Sequence, residues 1–77
     1  MDRRLGPGDV VRHFKGNKYE IMHIARDSET MEDVVVYRAL YGEGGVWVRP
    51  LKMFLSPVDR EKYPQAGQTY RFEKVED

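Results

Sequence analysis

Between Ala25 and Pro50 the chain runs ARDSETMEDVVVYRALYGEGGVWVRP, and this stretch constrains the fold more than any other. An acidic turn around Ser28-Glu29-Thr30 leads into Val34 to Tyr41, a run dense in β-branched and aromatic residues. The turn Gly42-Glu43-Gly44-Gly45 follows, then Val46 to Arg49. Pro50 has no N–H to give a ladder and ends that strand. Strand, glycine turn, strand is an antiparallel hairpin.

The flanking sequence adds strands to it. Gly6-Pro7-Gly8-Asp9 is turn chemistry leading into a strand from Val10 to Phe14. Lys15-Gly16-Asn17-Lys18 reads as a tight turn in which Gly and Asn supply positive φ. Tyr19 to Ala25 is the second strand. Strict alternation leaves it apolar on both faces, so it is either buried on two sides or carries a bulge that shifts its register; a bulge near Met22-His23 would bring Ile24 inward and turn His23 out. Leu51 to Phe54 fits a single helical turn covering an open end. Ser56-Pro57-Val58-Asp59 reads as a helix start with Ser56 as N-cap, the helix running to about Tyr63. Thr69 to Val75 is the last strand.

Seventy-seven residues without cysteine make one domain, 1–77, with no disulfide to reinforce it. Five short strands must therefore curl to enclose a core of aromatic and β-branched residues. The expected fold is mainly β: a small SH3-like five-stranded bent barrel with one or two short helical turns late in the chain, an OB-like barrel being the alternative. Residues 1–6 and 76–77 are expected to be flexible.

Charge narrows the function classes. Thirteen basic and thirteen acidic side chains cancel, which argues against a module that binds nucleic acid by neutralising phosphates. Residues 1–26 are basic on balance and residues 27–45 acidic, a polarity that solvated loops explain. The longest apolar run is Val34 to Tyr37, too short for a signal peptide or a membrane span, so a cytoplasmic protein is expected.

Taken in order, Arg12-His13-Phe14-Lys15-Gly16, Tyr19-Glu20-Ile21, Ala25, Ser28-Glu29-Thr30, Glu32, Val35-Val36-Tyr37, Leu40-Tyr41-Gly42, Trp47-Val48-Arg49-Pro50 and Met53-Phe54 form a pattern. It resembles the bacterial Domain of Unknown Function 1653 family over about residues 10–58. The resemblance implies an SH3-like β fold and carries no established activity. The family usually has His immediately before Ser-Glu-Thr, where this chain has Asp27. A role for that imidazole therefore does not transfer, and position 27 reads as a turn or cap. Ala39-Leu40-Tyr41 followed by Trp47 and Pro50 also echoes peptide-binding SH3 domains. There a long loop separates the two elements, whereas here they are adjacent hairpin strands, so the likeness is coincidental.

Few residues offer chemistry. Glu29 and Glu32 could pair as a carboxylate site; the plainer reading has Ser28 and Thr30 fixing a turn and Glu29 bonding an arginine. His13 and His23 make at most half a zinc site, and no cysteine is present to complete it. Ser28 and Thr30 lack a histidine at nucleophile spacing. No catalytic residue, metal or cofactor is assigned.

Trp47 and Arg49 share one strand face by alternation, an aromatic platform beside a guanidinium. Arg12, Lys15 and Tyr41 could join them if the first and third strands neighbour the fourth. In the structural reading Trp47 plugs a barrel end with Met53 and Phe54, and Arg49 pairs with Glu29 or Glu32. The candidate ligand-binding set is Trp47, Arg49, Arg12, Tyr41, Glu29 and Glu32. The leading function is a non-enzymatic binding or accessory module for an anionic, peptide-like or protein partner, as monomer or homodimer. A barrel binding single-stranded nucleic acid comes next, and a small carboxylate and histidine enzyme last.

Overall fold

The computed structural model describes residues 5–75. Five antiparallel strands form one sheet: β1 (Val10–His13), β2 (Lys18–Arg26), β3 (Asp33–Ala39), β4 (Val46–Pro50) and β5 (Phe72–Lys74). One helical turn, α1 (Leu51–Phe54), follows β4. The spatial order is β4-β3-β2-β1-β5, so the mainly β, five-stranded architecture is as expected.

The sheet is not closed into a barrel. β4 and β5 are its two edges, and no paired register joins them among the described residues. β5 is only three residues long, and Pro50 passes the chain from β4 straight into α1. Curl brings the edges together through side chains instead. The guanidinium carbon of Arg49 on β4 lies 6.0 Å from the ring centre of Phe72 on β5.

Of the two readings of β2's pattern, the bulge is the one that forms. Ile21 pairs with Tyr37 and His23 with Val36, leaving Met22 as the extra residue. His23 turns to the outer, exposed face. Ile24 pairs with Val35 on the core face yet stays 36% exposed, because it lies near the strand's far end. In the β1–β2 turn only Gly16, at φ 108°, adopts positive φ; Asn17 does not. Its carbonyl instead accepts the His13 N–H at 2.8 Å.

The core is Val11, Ile21, Val35, Tyr37, Phe54 and Phe72, all buried, with Leu5, Tyr19, Leu51 and Leu55 packed against it. Gly6 is held by Asp9, whose Oδ2 accepts its N–H at 2.9 Å. The rest of the segment expected to be flexible (1–4, 76–77) lies outside the described residues.

Two elements differ from expectation. No helix forms from Ser56 to Tyr63. Ser56 Oγ donates to the Met53 carbonyl at 2.6 Å, closing α1 instead of capping a new helix. Pro57 bridges Tyr70, and the buried Val58 donates to Thr69 O at 2.9 Å. Asp59 caps a single turn there, its Oδ1 accepting from Glu61 N–H at 3.0 Å. The last strand is also shorter than Thr69 to Val75. The Glu73 carboxylate accepts the N–H groups of Thr69 and Tyr70 at 3.1 and 3.0 Å, bending the chain before β5 begins.

Candidate functional site

The acidic turn between β2 and β3 is built by Asp27. Its Oδ1 accepts the N–H groups of Glu29 and Thr30 at 2.8 and 3.2 Å, and Thr30 Oγ1 accepts that of Glu32 at 3.2 Å. Met31 takes φ 63°, its N–H reaching the Asp27 carbonyl at 2.8 Å. Asp27 is thus a turn residue, and a side chain with a short oxygen acceptor is what the position needs. Glu29 and Glu32 are exposed, and neither pairs with an arginine among the described residues. Among those residues no three His, Cys, Asp or Glu side chains converge to hold a metal ion.

Tyr41 sits at the other end of the sheet, in the β3–β4 loop. The β2–β3 hairpin places it away from Glu29 and Glu32 by the length of the nine-residue β2, roughly 26 Å at about 3.3 Å per residue. Arg12 also separates from the set. It alternates with Val11 and His13, so it lies on the outer face, across from Lys18 and Glu73. Two strands stand between β1 and β4, so the adjacency that would unite Arg12 with Arg49 does not occur.

What does converge is centred on Phe72. Around its ring stand His13 (4.9 Å between centroids), Tyr19 (5.8 Å), Tyr37 (5.7 Å) and Phe54 (4.0 Å), with Arg49 above. Arg49 Nε donates to Tyr37 Oη at 3.4 Å, a long bond. Tyr19 and Tyr41 share a hydrogen bond of 2.8 Å between their hydroxyls. Burial first, then that bond, pushes the Tyr19 hydroxyl up to about 12. Trp47 faces Tyr37 across the β3–β4 ladder. Its indole folds back over Gly45, where a Cβ would meet Nε1 at 3.3 Å. Trp47 is 57% exposed, so it does not plug a barrel end.

Charge around this face is positive. His13 is lowered to about 4, by burial first and then by Arg49, Lys15 and Arg71. Its Nδ1 accepts the Lys15 N–H at 3.2 Å. The expected pairing of Arg49 with a glutamate is absent: Arg49, Lys15 and Arg71 have no ion pair among the described residues, where acids pair with Arg26, Arg38 and Lys74. Arg71 Nε is buried and makes no hydrogen bond among those residues. Lys15 lies 5.3 Å from the Tyr63 ring centre, at the rim of a groove of about 370 Å³ formed with Phe14, Lys62 and Pro64.

Of the six residues singled out from sequence, Trp47, Arg49 and Tyr41 thus lie on or beside one aromatic network, while Arg12, Glu29 and Glu32 lie elsewhere. His13, Tyr19, Tyr37 and Arg71 belong with the first three. Arg71 carried a signal: an arginine flanked by the aromatic residues Tyr70 and Phe72. His13 and His23 lie on opposite faces and do not meet.

Among curated proteins no relative matches this chain. It is similar to the crystal structure of a DUF1653 protein from Bordetella bronchiseptica, 38% identical, with 97% of this chain and 92% of that one covered and a TM-score of 0.76. A family profile described as "Protein of unknown function (DUF1653)" matches residues 9–74. With the profile spanning the whole sheet and its aromatic face, the chain belongs to the DUF1653 family.

Proposed function

We propose that this protein is a non-enzymatic binding module whose aromatic and arginine face takes an anionic, peptide-like ligand or an acidic surface of a partner protein. The observation that carries the reading is the set of three cations, Arg49, Lys15 and Arg71, gathered about His13 with no carboxylate paired to any of them among the described residues. An unneutralised cluster of this kind raises the local potential for an anion. A guanidinium is the group that grips carboxylate or phosphate with two parallel bonds. The exposed indole of Trp47 adds an apolar platform beside it.

Binding fits these residues better than catalysis. The imidazole of His13 is held neutral far below pH 7, and among the described residues its contacts are the Lys15 N–H and the rings of Phe14 and Phe72, with no hydroxyl or thiol hydrogen-bonded to it as a nucleophile would be. A cytoplasmic location belongs to the same proposal. It is compatible with the finding that no described helix is long and apolar enough to cross a membrane.

The single tryptophan makes the test direct. Titration with acidic peptides should shift Trp47 fluorescence, and Arg49→Gln should weaken binding by roughly tenfold or more, the worth of a charged hydrogen bond. A silent indole with acidic peptides and with inorganic phosphate removes the proposal. A response to oligonucleotides alone, steeply reduced by salt, replaces it with single-strand binding.

A further inference from the structure

β4 is an open edge with an unusual pattern. Natural edges are blunted by lysines, prolines, bulges or inward charges; in Val46-Trp47-Val48-Arg49-Pro50 the only such devices are Arg49 and the terminal Pro50, and Val46 and Val48 are 55% and 62% exposed. The backbone is aligned for pairing as well. Ala39 N–H donates to the Gly45 carbonyl at 2.9 Å, which fixes the alternation of the β3–β4 ladder. Residues 45, 47 and 49 turn their N–H and C=O groups toward β3, and residues 46, 48 and 50 turn theirs outward. Pro50 therefore falls where its missing N–H costs no bond to β3.

We propose that β4 pairs antiparallel with β4 of a second copy about a two-fold axis through Val48, continuing the sheet across two molecules. Three features commit the edge to its own kind. Centred on Val48, the two outward-facing Val48 residues exchange both backbone bonds. Val46 then donates to the carbonyl of Pro50 in the second copy, so each outward N–H of the pair has an acceptor and the prolines fall only where acceptors are needed. In the same register Trp47 stands opposite Arg49 of the second copy, at a non-hydrogen-bonded pair where side chains approach closest. An indole facing a guanidinium is an attractive cross-strand pair, and the two-fold axis repeats it. A slip by one residue would set Trp47 against Val48 instead and lose both pairings.

The arrangement goes beyond ligand binding and does not depend on it. It would place an indole from each molecule beside the Arg49 of the other, making the aromatic face a composite of two chains.

Sedimentation of the full chain, followed over concentrations up to about 100 μM, well above a micromolar dissociation constant, tests this. The expected mass is twice 9.1 kDa, falling to the single-chain mass in Val48→Lys, whose circular dichroism stays native because that side chain is exposed. The register is tested separately in a chain free of other cysteines. Under mild oxidant Val48→Cys should crosslink rapidly, its two Cα atoms lying about 5.5 Å apart. Val46→Cys should not, since four residues of offset separate its copies by roughly 13 Å. A wild-type chain that stays monomeric, a folded Val48→Lys dimer, or crosslinking of Val46→Cys as fast as that of Val48→Cys overturns the proposal.

Discussion

The rings of Phe54 and Phe72 lie parallel, 3° apart in orientation with centroids 4.0 Å apart, and both are fully buried. The contact fastens α1, which follows one edge strand, to β5, which is the other edge strand. Tyr37 meets both rings edge-on, at 5.3 Å from Phe54 and 5.7 Å from Phe72. In an open sheet this aromatic triplet does what a closing ladder does in a barrel. Phe54→Ala should accordingly cost about 3–5 kcal/mol. Total stability for so small a domain is about 5 kcal/mol, so urea denaturation should find the variant largely unfolded, while Phe54→Leu keeps a measurable transition.

Stability should fall as the solution is acidified, and His13 should account for part of the fall. Its folded value of about 4 lies below the ordinary 6.5. Between those values the unfolded chain holds a proton that the folded ring does not. The contribution is thus fully present above pH 6.5 and is lost as pH drops toward 4. For a partly exposed ring, solvent screening leaves on the order of 1 kcal/mol of it. Denaturation curves at a series of pH values should show a flatter acid limb for His13→Gln than for wild type; parallel limbs would disprove the assignment.

Tyr19 should ionise well above the ordinary phenol value of 10.0. Ultraviolet titration should resolve one phenol near pH 12, and Tyr41→Phe should lower it part of the way. Burial, the larger cause, survives the substitution, while the hydroxyl bond does not. A titration without a phenol near 12, or one that Tyr41→Phe leaves in place, would contradict the geometry.

Met31 holds a left-handed conformation at φ 63° with its side chain largely in solvent. For an L residue that conformation costs about 1 kcal/mol. Met31→Gly should therefore raise stability by about 0.5–1 kcal/mol, read as a higher urea midpoint with unchanged slope. Asp27→Ala should do the reverse, by about 1 kcal/mol, since two backbone donors lose their acceptor.

How much of this was written in the sequence depends on whether a residue's role is settled by its neighbours in the chain. The bulge at Met22 was half legible: a period-two pattern that fails on both faces means a strand buried on two sides or a bulge, and the pairing with β3 decides for the bulge. The helical turn at Leu51–Phe54 was legible because Pro50 ends the strand before it. Ser56-Pro57 misled because a cap-like pair cannot reveal that Tyr70 will bridge Pro57 and hold it extended.

The candidate site divides the same way. Alternation alone put Trp47 and Arg49 on one face of β4, and a short oxygen acceptor at Asp27 was enough to mark a turn. The placing of His13 and Arg71 near Arg49 was not legible, because it depends on strand order and on curl. β1 and β5 lie on the far side of the sheet from β4, and only the curvature around Phe72 brings them back. Local sequence determined strands, turns and faces, since these follow from backbone sterics and side-chain periodicity. Tertiary structure decided which charges gather and which edge stays open, since both follow from how distant strands pair and bend.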